Sequence, residues 1–94
     1  MIDLQFEDDI GRVSRGEVKV ILPRTQYRYF RVIHAAAGQM VSSADIMREV
    51  YDGQARSPKI VQVFVFKLRR KIAPLGLEIV ACKGVGYGLA EPLK

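Results

Sequence analysis

Tryptophan is absent from the chain, and cysteine and histidine occur once each, as Cys82 and His34. A lone cysteine excludes an intramolecular disulfide and fits a reducing compartment. A lone histidine, with no cysteine, aspartate or second histidine at ligand spacing, argues against a zinc-type centre and against a general base. No metal is therefore expected, and His34 reads as a polar helix-end residue. No apolar stretch approaches the ~18 residues that a membrane span needs, and the acidic N-terminus lacks a signal-peptide core. A cytoplasmic location without membrane contact is expected. There are no paired carboxylates beside a base and no nucleophile with a partner. Cys82 reads as a small packed hairpin residue, so no catalytic residue and no cofactor are expected. Low complexity and repeats are missing too, and 94 residues suffice for one domain, 1–94, with a single core.

What the chain has is positive charge, unevenly placed. The formal charge is +5. Up to Glu17 the balance is acidic: Asp3, Glu7, Asp8, Asp9 and Glu17 against Arg12 and Arg15. From Gln54 to Ala90 the chain carries Arg56, Lys59, Lys67, Arg69, Arg70, Lys71 and Lys83 against Glu78 alone. A basic surface over one half of a small domain is the footprint expected of a phosphate-binding protein. The plainer alternative is a solvated face that aids solubility. The trio Glu7, Asp8 and Asp9 lacks further oxygen ligands at a usable spacing, and a solvated turn is the expected reading.

The basic half is built around SPKIVQVFVFKLRRKI, residues 57–72. Ser57 is a good N-cap, Pro58 a good first-turn residue, and Pro74 with Gly76 ends the pattern. At about 100° per residue, Val61, Val65, Leu68 and Ile72 share one stripe, which predicts a helix packed on a core. Lys59, Val63, Phe66, Lys67 and Arg70 lie opposite. Such a helix presents cations and apolar groups together to an anionic, grooved partner, and duplex DNA fits that description.

The rest of the chain supplies its frame. Residues 1–22 read as a small antiparallel sheet of two to four strands: Leu4 and Phe6 alternate with polar neighbours, as do Val18, Val20 and Leu22, and Gly11 and Gly16 mark turns. Residues 23–76 hold three helices. Pro23 opens the first and Gly38 closes it, with Tyr27, Phe30, Ile33 and Ala37 at helical spacing and Tyr29 and Val32 widening the apolar face. These aromatics read as core, although aromatics beside Arg24, Arg28 and Arg31 could also stack on unpaired bases. Ser42 with Asp45 is a capping-box variant that starts the second helix, through Ile46, Met47, Val50 and Tyr51 to Asp52 and Gly53. A short link, Gln54 to Arg56, makes a helix-turn-helix with the basic helix. Residues 77–90 return to period two, with Leu77, Ile79 and Ala81 inward and Lys83 at a hairpin tip. Gly84, Gly86 and Gly88 read as turn glycines, since no helix follows to complete a phosphate cradle.

Strands, a helix, a helix-turn-helix and a glycine-rich hairpin in this order resemble a winged helix-turn-helix domain of the OmpR/PhoB type, the DNA-binding effector half of many two-component response regulators. The carriers are VFVFKLRRKI, similar to the family's basic recognition helix, and IVACKGVGY, similar to its wing. Leu22–Pro23 keeps part of the leucine-threonine-proline start of the first helix, with Gln26 where glutamate is usual, and MREVYDG resembles the segment that usually ends in tryptophan-glycine. The resemblance implies an α+β fold of three helices, an N-terminal sheet and a C-terminal wing. It implies a recognition helix in the major groove. There Val63 and Phe66 suit thymine methyl groups, Lys67 suits guanine O6 and N7, and Arg70 faces outward with them. Lys59, Arg69, Tyr51 and Tyr87 match phosphate-contacting positions, and Arg56 adds charge beside them. Lys83, with Gly84, stands at the wing tip where arginine usually enters the minor groove. Lysine is more strongly hydrated, so weaker discrimination is expected there.

The departures shape the expectation. Phe64 replaces a histidine that often touches phosphate, and it lies beside the core stripe. Gly88 replaces a basic residue after the wing tyrosine. The link 52–57 is short beside the loop that some relatives present to RNA polymerase, so activation is not carried over. The chain opens on a methionine and then its strands, with no receiver, so a complete protein without a phosphorylation switch is expected. Two functions follow. One is a sequence-specific regulator binding double-stranded DNA, with a homodimer on tandem half-sites as the family habit. The alternative is an adaptor or inhibitor that sets the same helix face, anchored by Val63 and Phe66, against an acidic protein.

Overall fold

The computed structural model describes residues 3–54, 57 and 59–91. Three short strands, β1 (Gln5–Glu7), β2 (Arg12–Arg15) and β3 (Val18–Ile21), form an antiparallel sheet in that order. Phe6 pairs with Val13, and Val13 with Val20. The alternation expected to bury Val18, Val20 and Leu22 holds only at its end. Leu22 is buried, Val20 half-buried and Val18 exposed, and the central strand supplies Val13 to the core instead. β3 is an edge strand, so its first residues overhang the layer beneath.

The acidic turn is not simply solvated. The Arg12 guanidinium grips the Glu7 carboxylate with two hydrogen bonds, of 2.7 and 2.8 Å. The Tyr27 hydroxyl donates to Asp8, while Arg31 stands 3.7 Å from Asp8 and 4.1 Å over the Phe6 ring. Charges expected to form a solvated turn therefore also clasp the sheet to the first helix. Burial, and then the bond to Asp8, pushes the Tyr27 hydroxyl up to about 12. A phenol kept neutral by the fold favours folding below its ordinary value near 10 and loses that contribution as pH rises through 12. Urea midpoints should accordingly fall between about pH 10 and 12, and the Tyr27→Phe chain should lose part of that slope.

Helix α1 (Arg24–Ala35) starts after Pro23 and buries Tyr27, Tyr29, Phe30 and Ile33, so its aromatics are core. Ala37, expected on that apolar face, lies beyond the helix at φ 52° and is exposed. Gln26 is buried with Oε1 unpaired among the described residues. A glutamate there would bury a charge, which glutamine avoids. Helix α2 (Ser43–Val50) is capped as the sequence predicts, by Ser42 Oγ accepting from the Asp45 N–H at 3.1 Å. Helix α3 (Lys59–Ile72) buries Val61, Val65, Leu68 and Ile72, the stripe read from periodicity. Ser57 Oγ accepts from the Lys59 N–H at 3.4 Å. Pro58 and Arg56 fall outside the described residues. A 3₁₀ turn, Ala73–Leu75, and Gly76 at φ 72° end α3 before the hairpin of β4 (Glu78–Cys82) and β5 (Gly86–Ala90). Of its expected inward residues, Leu77 and Ile79 are buried. Ala81 and Cys82 are exposed, because the hairpin's far end reaches past the core, so Cys82 is not the packed residue it was read as.

Candidate nucleic-acid interface

The stripe of α3 opposite its buried residues is fully presented. Lys59, Val63, Phe66, Lys67 and Arg70 are all exposed, Val63 at 50% and Phe66 at 60%. Burying Val61, Val65, Leu68 and Ile72 against α1 fixes the helix's rotation, and that rotation directs the opposite stripe outward.

The wing stands beside this face. A turn closes it, with the Val85 N–H donating to the Cys82 carbonyl at 2.9 Å. Gly84 takes φ 80° at the turn's third position, where glycine has no steric cost. Lys83 and Gly84 are exposed at the tip, as expected. Just below the tip, Tyr87 exchanges two backbone bonds with Val41, of 2.7 and 2.9 Å. There the chain passes so close that a Cβ on Gly86 would fall 2.1 Å from the Val41 carbonyl oxygen. Gly86 was read as a turn glycine. Its stronger constraint is this approach, which pins the wing to the segment leading into α2. The Arg69 Nε donates to the Ile79 carbonyl at 3.0 Å and ties α3 to β4. An open groove between α3 and the wing is lined by Ser42, Gln62, Phe66, Arg69, Lys83 and Tyr87.

On the other flank, Phe64 is half-buried and stacks on Tyr29 at 5.2 Å, consistent with its place beside the core stripe. Tyr29 is fully buried, and its hydroxyl is 2.9 Å from that of Tyr51. Burial first, and then that bond, pushes the Tyr29 hydroxyl well above the usual phenol range. Tyr51 is therefore held at the end of α2 by a core residue. Lys67 Nζ rests 5.4 Å over the Phe64 ring, and the Arg70 guanidinium 5.6 Å over that of Phe66.

The electrostatic division is sharper than the composition suggested. Arg12, Arg15, Arg28, Arg31 and Arg48 each face a carboxylate, of Glu7, Glu91, Asp52, Asp8 and Asp45 in turn. Among the described residues, Lys59, Lys67, Arg69, Arg70, Lys71 and Lys83 pair with none. Outside α3 and the wing only Lys19 and Arg24 of the described cations lack a carboxylate, whereas the face made by α3 and the wing leaves all of its described cations available. Sequence reading missed Gln62, whose place toward the wing the helical wheel would have revealed, and Val85, 53% exposed beside the tip. It also missed the bridge to Val41, a pairing of single residues that leaves no periodic signal. Among the described residues no helix is long and apolar enough to cross a membrane, and no group of three or more His, Cys, Asp or Glu is placed to hold a metal ion.

A family model described as the C-terminal part of transcriptional regulatory proteins matches residues 16–89. Protein PetR of Rhodobacter capsulatus is 29% identical over 96 residues, a match covering 93% of this chain and 40% of PetR. The fold is similar to the DNA-binding domain of E. coli CadC, with a TM-score of 0.78 at 17% identity, over 95% of this chain and 87% of that one. It is likewise similar to the DNA-binding domain of response regulator AdeR, solved in complex with an intercistronic region, with a TM-score of 0.76 at 22% identity and 95% coverage of both.

Proposed function

This chain belongs to the family of transcriptional regulatory protein C-terminal domains, which bind DNA, and we propose that it recognises a specific double-stranded sequence through the face of α3 and the wing. The observation that carries this reading is the set of cations on that face that pair with no carboxylate among the described residues, beside a half where five of six arginines, all but Arg24, are internally paired. Phosphates are the partner that such charges lack. In this arrangement α3 enters the major groove, with Val63, Phe66, Lys67 and Arg70 at the base edges. Tyr51, Lys59, Arg69 and Tyr87 meet phosphates; Arg56, assigned to phosphate from the sequence, lies outside the described residues. Lys83 and Gly84 reach the adjacent minor groove. A homodimer on tandem half-sites suits the family but is not required by these contacts.

The test is a salt titration on duplex DNA. Affinity for random duplex should fall steeply with salt, and Lys59→Ala should weaken all sequences alike while lowering the log–log slope by about 0.9. A slope near zero for the wild-type chain would overturn the reading.

A second reading rests on the apolar part of the same surface. Val63, Phe66 and Val85 are exposed beside lysines and arginines, a pattern that also suits an acidic protein partner, RNA polymerase included. Such an adaptor would retain acidic partners and select no DNA sequence.

A further inference from the structure

The outward stripe of α3 carries two cation–aromatic pairs that diverge. Phe66 is the most exposed ring of the helix, at 60%, and the Arg70 guanidinium lies 5.6 Å from its centre. Lys67, next in sequence, turns the other way, its ammonium 5.4 Å over Phe64 on the Tyr29–Tyr51 flank. We propose that Phe66 and Arg70 act as one specificity-determining unit that reads a thymine and a guanine in neighbouring base pairs, while Lys67 reaches a different base pair. This rests on the DNA-binding reading above and assigns its base preference.

The chemistry follows from what a major groove offers. The only apolar group on a base edge there is the pyrimidine C5-methyl, so an exposed ring pressed into the groove gains most against thymine. Arginine meets guanine O6 and N7 with a planar fork. Stacking on Phe66 restricts Arg70 before binding, so less freedom is lost when the fork engages. The separation decides which bases are involved. Successive bases along a strand rise about 3.4 Å, so groups 5.6 Å apart reach no further than two steps, and neighbouring base pairs lie within their span. Lys67 leans on a different ring, Phe64, and is a hydrated point charge without a fork.

The experiment alters the DNA first and the protein second. On the duplex retained from a random pool, each thymine is replaced in turn by uracil, which deletes only the methyl group. At one thymine, affinity should fall about fourfold for the wild-type chain and not at all for Phe66→Ala. Replacing the adjoining guanine by an analogue lacking N7 should cost the wild-type chain about tenfold. The same replacement should cost Lys67→Ala equally and leave Arg70→Ala unmoved. Indifference to uracil at every position, a uracil effect that survives in Phe66→Ala, or a sensitive guanine several base pairs away would each overturn the proposal. A pool in which no sequence is enriched would overturn the DNA reading beneath it as well.

Discussion

Replacing Lys67 and Arg70 together by alanine is expected to lower affinity for the selected duplex by roughly 30-fold to 10⁴-fold while leaving the fold intact. Each cation at a base edge discriminates by about 1–3 kcal/mol, and the two rest on different rings, so their losses should add approximately. Both side chains are exposed and neither forms an ion pair among the described residues, so thermal stability should move by no more than about 0.5 kcal/mol. Binding to random duplex should weaken far less, because Lys59, Arg69 and Lys83 remain. Arg48→Ala is the matched control. Arg48 is paired with Asp45 at 2.8 Å, so it offers DNA little free charge, and its loss should leave affinity within about twofold. A double variant that bound the selected duplex as tightly as the wild type would contradict the assignment of this face.

Gly86→Ala should be the most damaging single change in the wing. A methyl group there meets the backbone of Val41 and Ser42, 2.1 Å from the Val41 oxygen and 2.9 Å from Ser42 Cα, so no side-chain rotation relieves the clash. The residue also holds φ at 148°, a region that other residues rarely enter. Overpacking and backbone strain together are expected to cost about 2–5 kcal/mol, read from urea midpoints. The fold can lessen this by releasing Tyr87 from Val41, and then the loss appears in function. The wing shifts, Lys83 leaves the minor-groove position proposed for it, and specific affinity should fall about tenfold or more. Gly84→Ala is the comparison. Nothing lies within 4 Å of its Cβ, so only the positive φ is strained, and the expected cost is about 1 kcal/mol.

The helices were legible because their signals are local. Ser42 with Asp45 announced a cap that forms, and Val61, Val65, Leu68 and Ile72 announced a buried stripe that is buried. The outward set followed from the same periodicity, so most of the candidate site could be named before any contact was known. The sheet was harder to read. Three- and four-residue strands carry too few alternations to fix which face is inward, and the central strand's Val13 looked no different from its neighbours. Tertiary contacts were not legible at all. The Val41–Tyr87 bridge, the Asp8 clasp, the Arg69 tie to Ile79 and the split between Lys67 and Arg70 each join residues whose spacing in sequence carries no signal. Charge lay between these extremes. The sequence showed where cations outnumber acids, and only the folded chain showed which of them are already paired.

The proposed reading of a duplex sequence by the face of α3 and the wing can be observed directly. Its most direct test is to pass the wild-type chain over a pool of random duplexes, retain the bound fraction through several rounds, and sequence it. A short enriched motif containing a thymine beside a guanine is expected, and it should be lost when Lys67 and Arg70 are both alanine. A retained pool as random as the starting one would contradict it and leave an acidic protein as the partner of this face.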